Sequence, residues 1–67
     1  MSVARVTEIS SSSTTSFEDA INKGIERATQ TLKNVEGAWI QEQKVAISNG
    51  SISEYRVFMK VTFVLEG

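Results

Sequence analysis

Trp39 is the single tryptophan of the chain, and Gln41 and Gln43 follow it at alternate positions. An indole offers a large flat π-surface, and glutamine amides both donate and accept hydrogen bonds. On one strand face this set suits a planar heteroaromatic ligand, stacked on the ring and held at its edge. The same residues also suit a buried subunit contact with solvated amides beside it. Arg56, expected on the same kind of face in a partner strand, is the other candidate. Its planar guanidinium suits a phosphate, a carboxylate or a ring face. It serves a surface or intersubunit ion pair equally well.

The missing residue types narrow the chemistry further. The chain has no Cys, His or Pro. There is no thiolate or imidazole for nucleophilic or general-base work. Metal binding is left with oxygen ligands, which favours calcium or magnesium over zinc or copper. The acids Glu8, Glu18, Asp19, Glu26, Glu36, Glu42, Glu54 and Glu66 show no spacing that defines an acid–base pair. No phosphate-binding loop, EF-hand loop or dinucleotide fingerprint occurs. The expectation is a protein that is not an enzyme.

Seven Lys and Arg stand against eight Asp and Glu, a formal charge of −1. No basic stripe is present, which argues against a nucleic-acid partner. The apolar run from Val61 to Leu65 is far too short to span a bilayer, and the first residues lack the apolar stretch of a signal peptide. A soluble, cytoplasmic protein is expected, built as one domain over residues 1–67. At 67 residues the chain is small for a self-sufficient core. Ordering it costs on the order of 100 kcal/mol. With no cysteine for disulfides, self-assembly is the physical expectation.

The elements that must position these residues emerge from periodicity. Residues 2–10 predict a strand with apolar groups on both faces, and the Ser/Thr run over 10–16 predicts a polar loop. Residues 17–35 predict a helix: Phe17, Ala20, Ile21, Gly24, Ile25, Ala28, Leu32 and Val35 recur at helical spacing. Ser16 is the expected N-cap with Asp19 three positions later, and Lys33 is expected in the last turn. Gly24 lies on the apolar stripe, where it costs about 1 kcal/mol against Ala and permits close approach of another backbone.

Residues 38–47 predict a strand whose alternation breaks between Trp39 and Val45, the sign of a bulge or of a covered second face. Asn49-Gly50 predicts a tight primed turn. The last strand, 52–65, alternates strictly. Tyr55, Val57, Met59, Val61, Phe63 and Leu65 share one face; Arg56, Phe58, Lys60, Thr62 and Val64 share the other. The fold class is therefore α+β, in the order β-α-β-β: a three-stranded antiparallel sheet wrapped around one amphipathic helix. The helix covers one sheet face only. The other, bearing Trp39, Phe58, Val64 and Ile47, needs a partner.

The chain also resembles the dodecins. The resemblance rests on Thr15-Ser16-Phe17 entering the helix, Ile25-Glu26-Arg27-Ala28 within it, Tyr55-Arg56-Val57, and the run Val61-Thr62-Phe63-Val64-Leu65-Glu66. It implies a hollow homo-dodecamer that holds a small ligand, typically a flavin (riboflavin, FMN or lumichrome). In that family a Trp at the start of the second strand stacks on the flavin ring, and a Gln after the Tyr of the last strand bonds its edge. Aligned without gaps, those two positions fall on Gly37 and Arg56. Trp39 lies two residues beyond Gly37 on the same strand face. The candidate ligand-holding set is thus Gly37 and Arg56 from the resemblance, with Trp39 and Gln41 from the residue pattern. The gap-free match is similar to a branch without the stacking Trp that is associated with calcium, which makes a calcium-binding or purely structural shell the alternative. Twelve chains at −1 each would carry about −12, a field that gathers cations.

Overall fold

The computed structural model describes residues 3–65. It has four elements in chain order: β1 (Val3–Ser13), α1 (Phe17–Thr31), β2 (Val35–Ser48) and β3 (Ser51–Leu65). The strands form one antiparallel sheet in the order β1-β3-β2. This is the expected β-α-β-β architecture, with the strictly alternating strand at its centre.

The central strand builds the core. Val57 and Met59 are fully buried and meet Ala20 of α1, with Ile9, Phe17, Ile21 and Ile25 packed around them; Val61 and Ala28 are buried as well. Gly24 is buried where the helix crosses the sheet. A Cβ on it would lie 2.5 Å from the Met59 Cε and 3.0 Å from the Ser11 Cβ. What approaches Gly24 is therefore the side chains of Ser11 on β1 and Met59 on β3, rather than another backbone as expected. Phe17 closes one end of the core, its ring edge-on to Tyr55 with centroids 5.1 Å apart.

Three boundaries differ from the sequence expectation. The Ser/Thr run is not a loop from residue 10. β1 continues through Ser13, pairing Ser10 with Phe58 and Ser13 with Tyr55. The long β3 supplies an open ladder, and those backbone bonds override the local turn preference of serine. Only Thr14–Ser16 connect strand to helix. At the other end the helix stops at Thr31 rather than 35, with Leu32 N–H donating to the Ala28 carbonyl at 2.9 Å. Asn34 then takes a left-handed conformation, φ 60°, which Asn tolerates better than most residues. Val35 thereby joins β2 opposite Phe63. Lys33 consequently lies beyond the last turn and not within it.

The helix entry is tied to the end of β1. The Asp19 N–H donates to the Ser16 Oγ at 3.0 Å, the expected cap. The buried Ser13 Oγ donates to the Asp19 Oδ2 at 2.6 Å and accepts from the Thr15 N–H at 2.9 Å. Lys23 Nζ reaches the same carboxylate at 3.0 Å. These contacts hold the Asp19 carboxyl below the usual aspartate range, the Ser13 bond first and Lys23 next.

The expected tight turn is present, with Asn49 at φ 52° and Gly50 at φ 77°. The hairpin it joins runs well past the helix. The molecule measures 51 × 19 × 13 Å with a radius of gyration of 13.9 Å, against about 11 Å for a compact chain of this length. No helix among the described residues is long and apolar enough to cross a membrane.

Candidate functional site

The helix-free face of the sheet is a grid set by strand register. Reading across β1, β3 and β2, its rows are Ser12–Arg56–Lys44, Ser10–Phe58–Glu42, Glu8–Lys60–Trp39 and Val6–Thr62–Gly37. The even-numbered residues of β3 supply the middle column, because alternate side chains project to opposite faces and the odd-numbered ones face the helix.

Trp39 stands half-exposed in this grid, at 49 %. Lys60 Nζ lies 5.7 Å from its ring centroid and 4.0 Å from the Glu8 Oε1. The cation thus sits between an indole face and a carboxylate, held by the ring quadrupole and by charge. In the adjoining row, Gly37 leaves an opening beside the indole. No heavy atom lies within 4 Å of where its Cβ would be. One flat aromatic surface therefore borders a bare position at Gly37, a shape that admits a planar ring.

The expected irregularity of β2 is present as register shifts. One between Ile40 and Glu42 leaves Gln41 as the extra residue. Its consequence is a change of face: Gln43 pairs with the buried Val57 and so belongs to the helix side, away from Trp39. Glu42 and Lys44 take the Trp39 face instead. Gln41 lines a depression of about 520 Å³ with Glu8, Ser10, Glu42, Lys44 and Phe58. Lys44 Nζ lies 5.1 Å from the Phe58 ring centroid.

Arg56 is on the same face as Trp39, but the chain does not bring the two together. Arg56 lies four positions along β3 from Lys60, the cross-strand partner of Trp39, a span of about 13 Å. The Arg56 Nε–H donates to the Glu54 Oε1 at 2.9 Å, so the ion-pair reading of this arginine is the one realised here. Of the four sequence candidates, Gly37 and Trp39 are neighbours, Gln41 is one row on, and Arg56 lies at the far end.

Two partners escaped the residue pattern: Lys60 over Trp39 and Lys44 over Phe58. The first had a readable signal. Counting outward from the Asn49-Gly50 turn sets Trp39 opposite Lys60, because the extra residue on β3 near Ser53 and the extra residue on β2 at Gln41 cancel. Among the described residues, no group of three or more acids is clustered to hold a metal ion within one chain.

Comparison with known proteins agrees with this architecture. The dodecin family model matches residues 3–66. Calcium dodecin of Mycobacterium tuberculosis is 32 % identical over 63 residues, spanning 94 % of this chain and 89 % of that protein. Its crystal structure, of a calcium-chelating antigen with a calcium-binding site, superposes with a TM-score of 0.84 over 97 % of this chain and 93 % of that one. Dodecin from Streptomyces davaonensis is 36 % identical and superposes with a TM-score of 0.93, covering 98 % of this chain and 97 % of that chain. Strand order, helix placement and a match running nearly end to end carry one conclusion: the chain belongs to the dodecin family.

Proposed function

We propose that this protein is a non-enzymatic, cytoplasmic homo-oligomer, a dodecamer of single-domain chains over residues 1–67, that binds and stores a flavin on its helix-free sheet face. The observation that carries the proposal is Trp39 itself: a half-exposed indole beside the bare position at Gly37. Trp39 would stack on the flavin ring, Gln41 would meet its polar edge, and Arg56 or Lys44 would meet a side-chain phosphate. Riboflavin, FMN and lumichrome all present the same planar ring to Trp39.

Self-association is supported by area. The chain exposes 4899 Å², where a compact monomer of its mass exposes about 4200 Å². The excess is close to one partner's share of a standard interface, about 800 Å². The exposed Val3, Val6, Ile40, Ile47, Ile52 and Leu65 are apolar groups that such contacts would cover.

A second reading, a calcium-binding or purely structural shell without flavin, is favoured by the mycobacterial calcium dodecin. It also draws on the oxygen-only ligand set. Ligands would have to be gathered from several copies, because no acidic cluster forms within the described residues of one chain. Titrating riboflavin and FMN while monitoring flavin fluorescence separates the readings. Saturable quenching at micromolar protein supports flavin. No quenching, together with heat on calcium addition and a melt lowered by chelator, supports calcium.

A further inference from the structure

We propose that Asn49 is a site of self-modification: its side-chain amide is lost to attack by the Gly50 backbone nitrogen, which leaves an acid at the tip of the β2–β3 hairpin. The step uses only water as co-reactant. Neither an enzyme, a bound ligand nor a second copy is needed.

The attack requires a peptide nitrogen that no hydrogen bond holds and no side chain shields. Gly50 meets both conditions. Asn49 and Gly50 take φ 52° and φ 77°, with Ser48 paired to Ser51 on either side. In such a turn the closing hydrogen bond joins the first and fourth residues, so the N–H of Gly50, the third, lies outside it. Both residues are exposed, and no heavy atom lies within 4 Å of where a Gly50 Cβ would be. Ring closure rotates the Asn49 Cα–C bond out of its turn conformation. Glycine, with the widest choice of backbone angles, follows that rotation at least cost.

The chain has three asparagines, and the other two lack this arrangement. Asn22 lies inside α1, where the N–H of the following Lys23 is held by the helical bond to the residue four back. Asn34 precedes Val35, whose branched Cβ crowds the peptide nitrogen. The Asn34 carbonyl also accepts from the Val64 N–H at 3.0 Å, which pins that peptide unit.

The Gly50 nitrogen gives up its proton and bonds to the Asn49 Cγ. The Cγ–Nδ2 bond breaks, and the amide nitrogen takes up a proton and leaves as ammonia. Water then opens the cyclic imide at either carbonyl. Opening at Cγ gives aspartate; opening at the backbone carbonyl gives an isoaspartyl link, with one more carbon in the main chain. Either product puts one negative charge into residues 45–53, a stretch that carries none. Aspartate followed by glycine suits the same primed turn. The longer isoaspartyl backbone does not, and it loosens the register that sets Ile47 opposite Ile52.

Trypsin separates the three sites, because cleavage after Lys and Arg leaves Asn22, Asn34 and Asn49 in fragments 6–23, 34–44 and 45–56. Wild-type protein is held in mildly alkaline buffer, native and in urea, and its fragments are weighed by mass spectrometry over time. In the native protein, fragment 45–56 is expected to gain the mass difference between an amide and an acid and to split into two chromatographic peaks. Fragments 6–23 and 34–44 should stay unchanged. Asn49→Gly keeps a residue suited to the turn and should abolish the acidic form of the intact chain. The aged protein should also melt below the Asn49→Asp variant, which has the charge without the extra carbon; equal midpoints overturn the loosened turn. No conversion in the native chain, whether or not urea permits it, overturns the assignment of Asn49, as does earlier conversion at Asn22 or Asn34.

Discussion

Lys60 and Trp39 face each other across the β2–β3 ladder, with the ammonium 5.7 Å from the indole centroid and the Glu8 carboxylate 4.0 Å beyond it. This pairing orients the indole on the helix-free face, as Lys44 does for the Phe58 ring one row on. A cation–π contact at an exposed site contributes about 0.5–1 kcal/mol. It is strong enough to fix a ring and weak enough to be displaced by a stacked ligand.

Replacing the indole should therefore weaken ligand binding without unfolding the chain. Trp39→Leu is expected to weaken riboflavin binding about tenfold or more, from the ~1–3 kcal/mol that an aromatic stack supplies. The thermal midpoint should change little, because Trp39 is half-exposed and outside the buried core. A fluorescence titration beside a melt of the same sample checks both halves.

Lys60→Met removes the charge and retains most of the stem. Stability should fall by less than about 1 kcal/mol. Emission from the single tryptophan should shift, since the ammonium beside the ring is gone. An unaltered spectrum would mean that the cation does not dwell over the indole in solution.

Gly24→Ala sets two effects of opposite sign against each other. Alanine gains up to about 1 kcal/mol of helix propensity. Its methyl would lie 2.5 Å from Met59 Cε and 3.0 Å from Ser11 Cβ. Met59 is flexible but fully buried, and Ser11 is fixed in β1. Overpacking costs of about 1–3 kcal/mol win, so a net loss of about 1 kcal/mol is expected in denaturant unfolding. A gain would show that Met59 repacks freely.

The Asp19 carboxyl sets a direction in pH. Its pKa is lowered in the folded chain by the Ser13 bond and Lys23. Its contribution to stability is therefore present above the ordinary aspartate range and is lost as pH falls through the depressed folded value. Asp19→Asn should flatten the acid limb of a melting-temperature profile relative to wild type. Identical limbs would place the acid sensitivity elsewhere.

The fold was legible where one period dominated. The alternation of Tyr55 through Leu65 assigned both sheet faces, and the spacing from Phe17 to Ala28 assigned the helix. Ser10–Ser13 were not legible as strand, because nothing local in a serine run announces the ladder that β3 offers it. Asn34 hid the helix end in the same way: its left-handed backbone turns the chain into β2 while the apolar pattern still runs on to Val35. On the candidate face, Gly37 and Trp39 lie in adjoining rows, as their positions on one strand face led one to expect. Gln43 lies on the opposite face from the one its spacing implies, because the Gln41 bulge reverses the parity of the residues after it. Arg56 shares the Trp39 face but stands two rows from it, a matter of register that residue type does not encode.

The most direct measurement uses the chain's single tryptophan as its own reporter. Trp39 emission is monitored while riboflavin is added to protein whose mass is read by light scattering in the same sample. The expected result is an oligomer whose Trp39 emission is quenched saturably, in step with the loss of flavin fluorescence. An oligomer whose Trp39 emission is untouched by riboflavin would contradict the flavin site, and a monomer would contradict the shell.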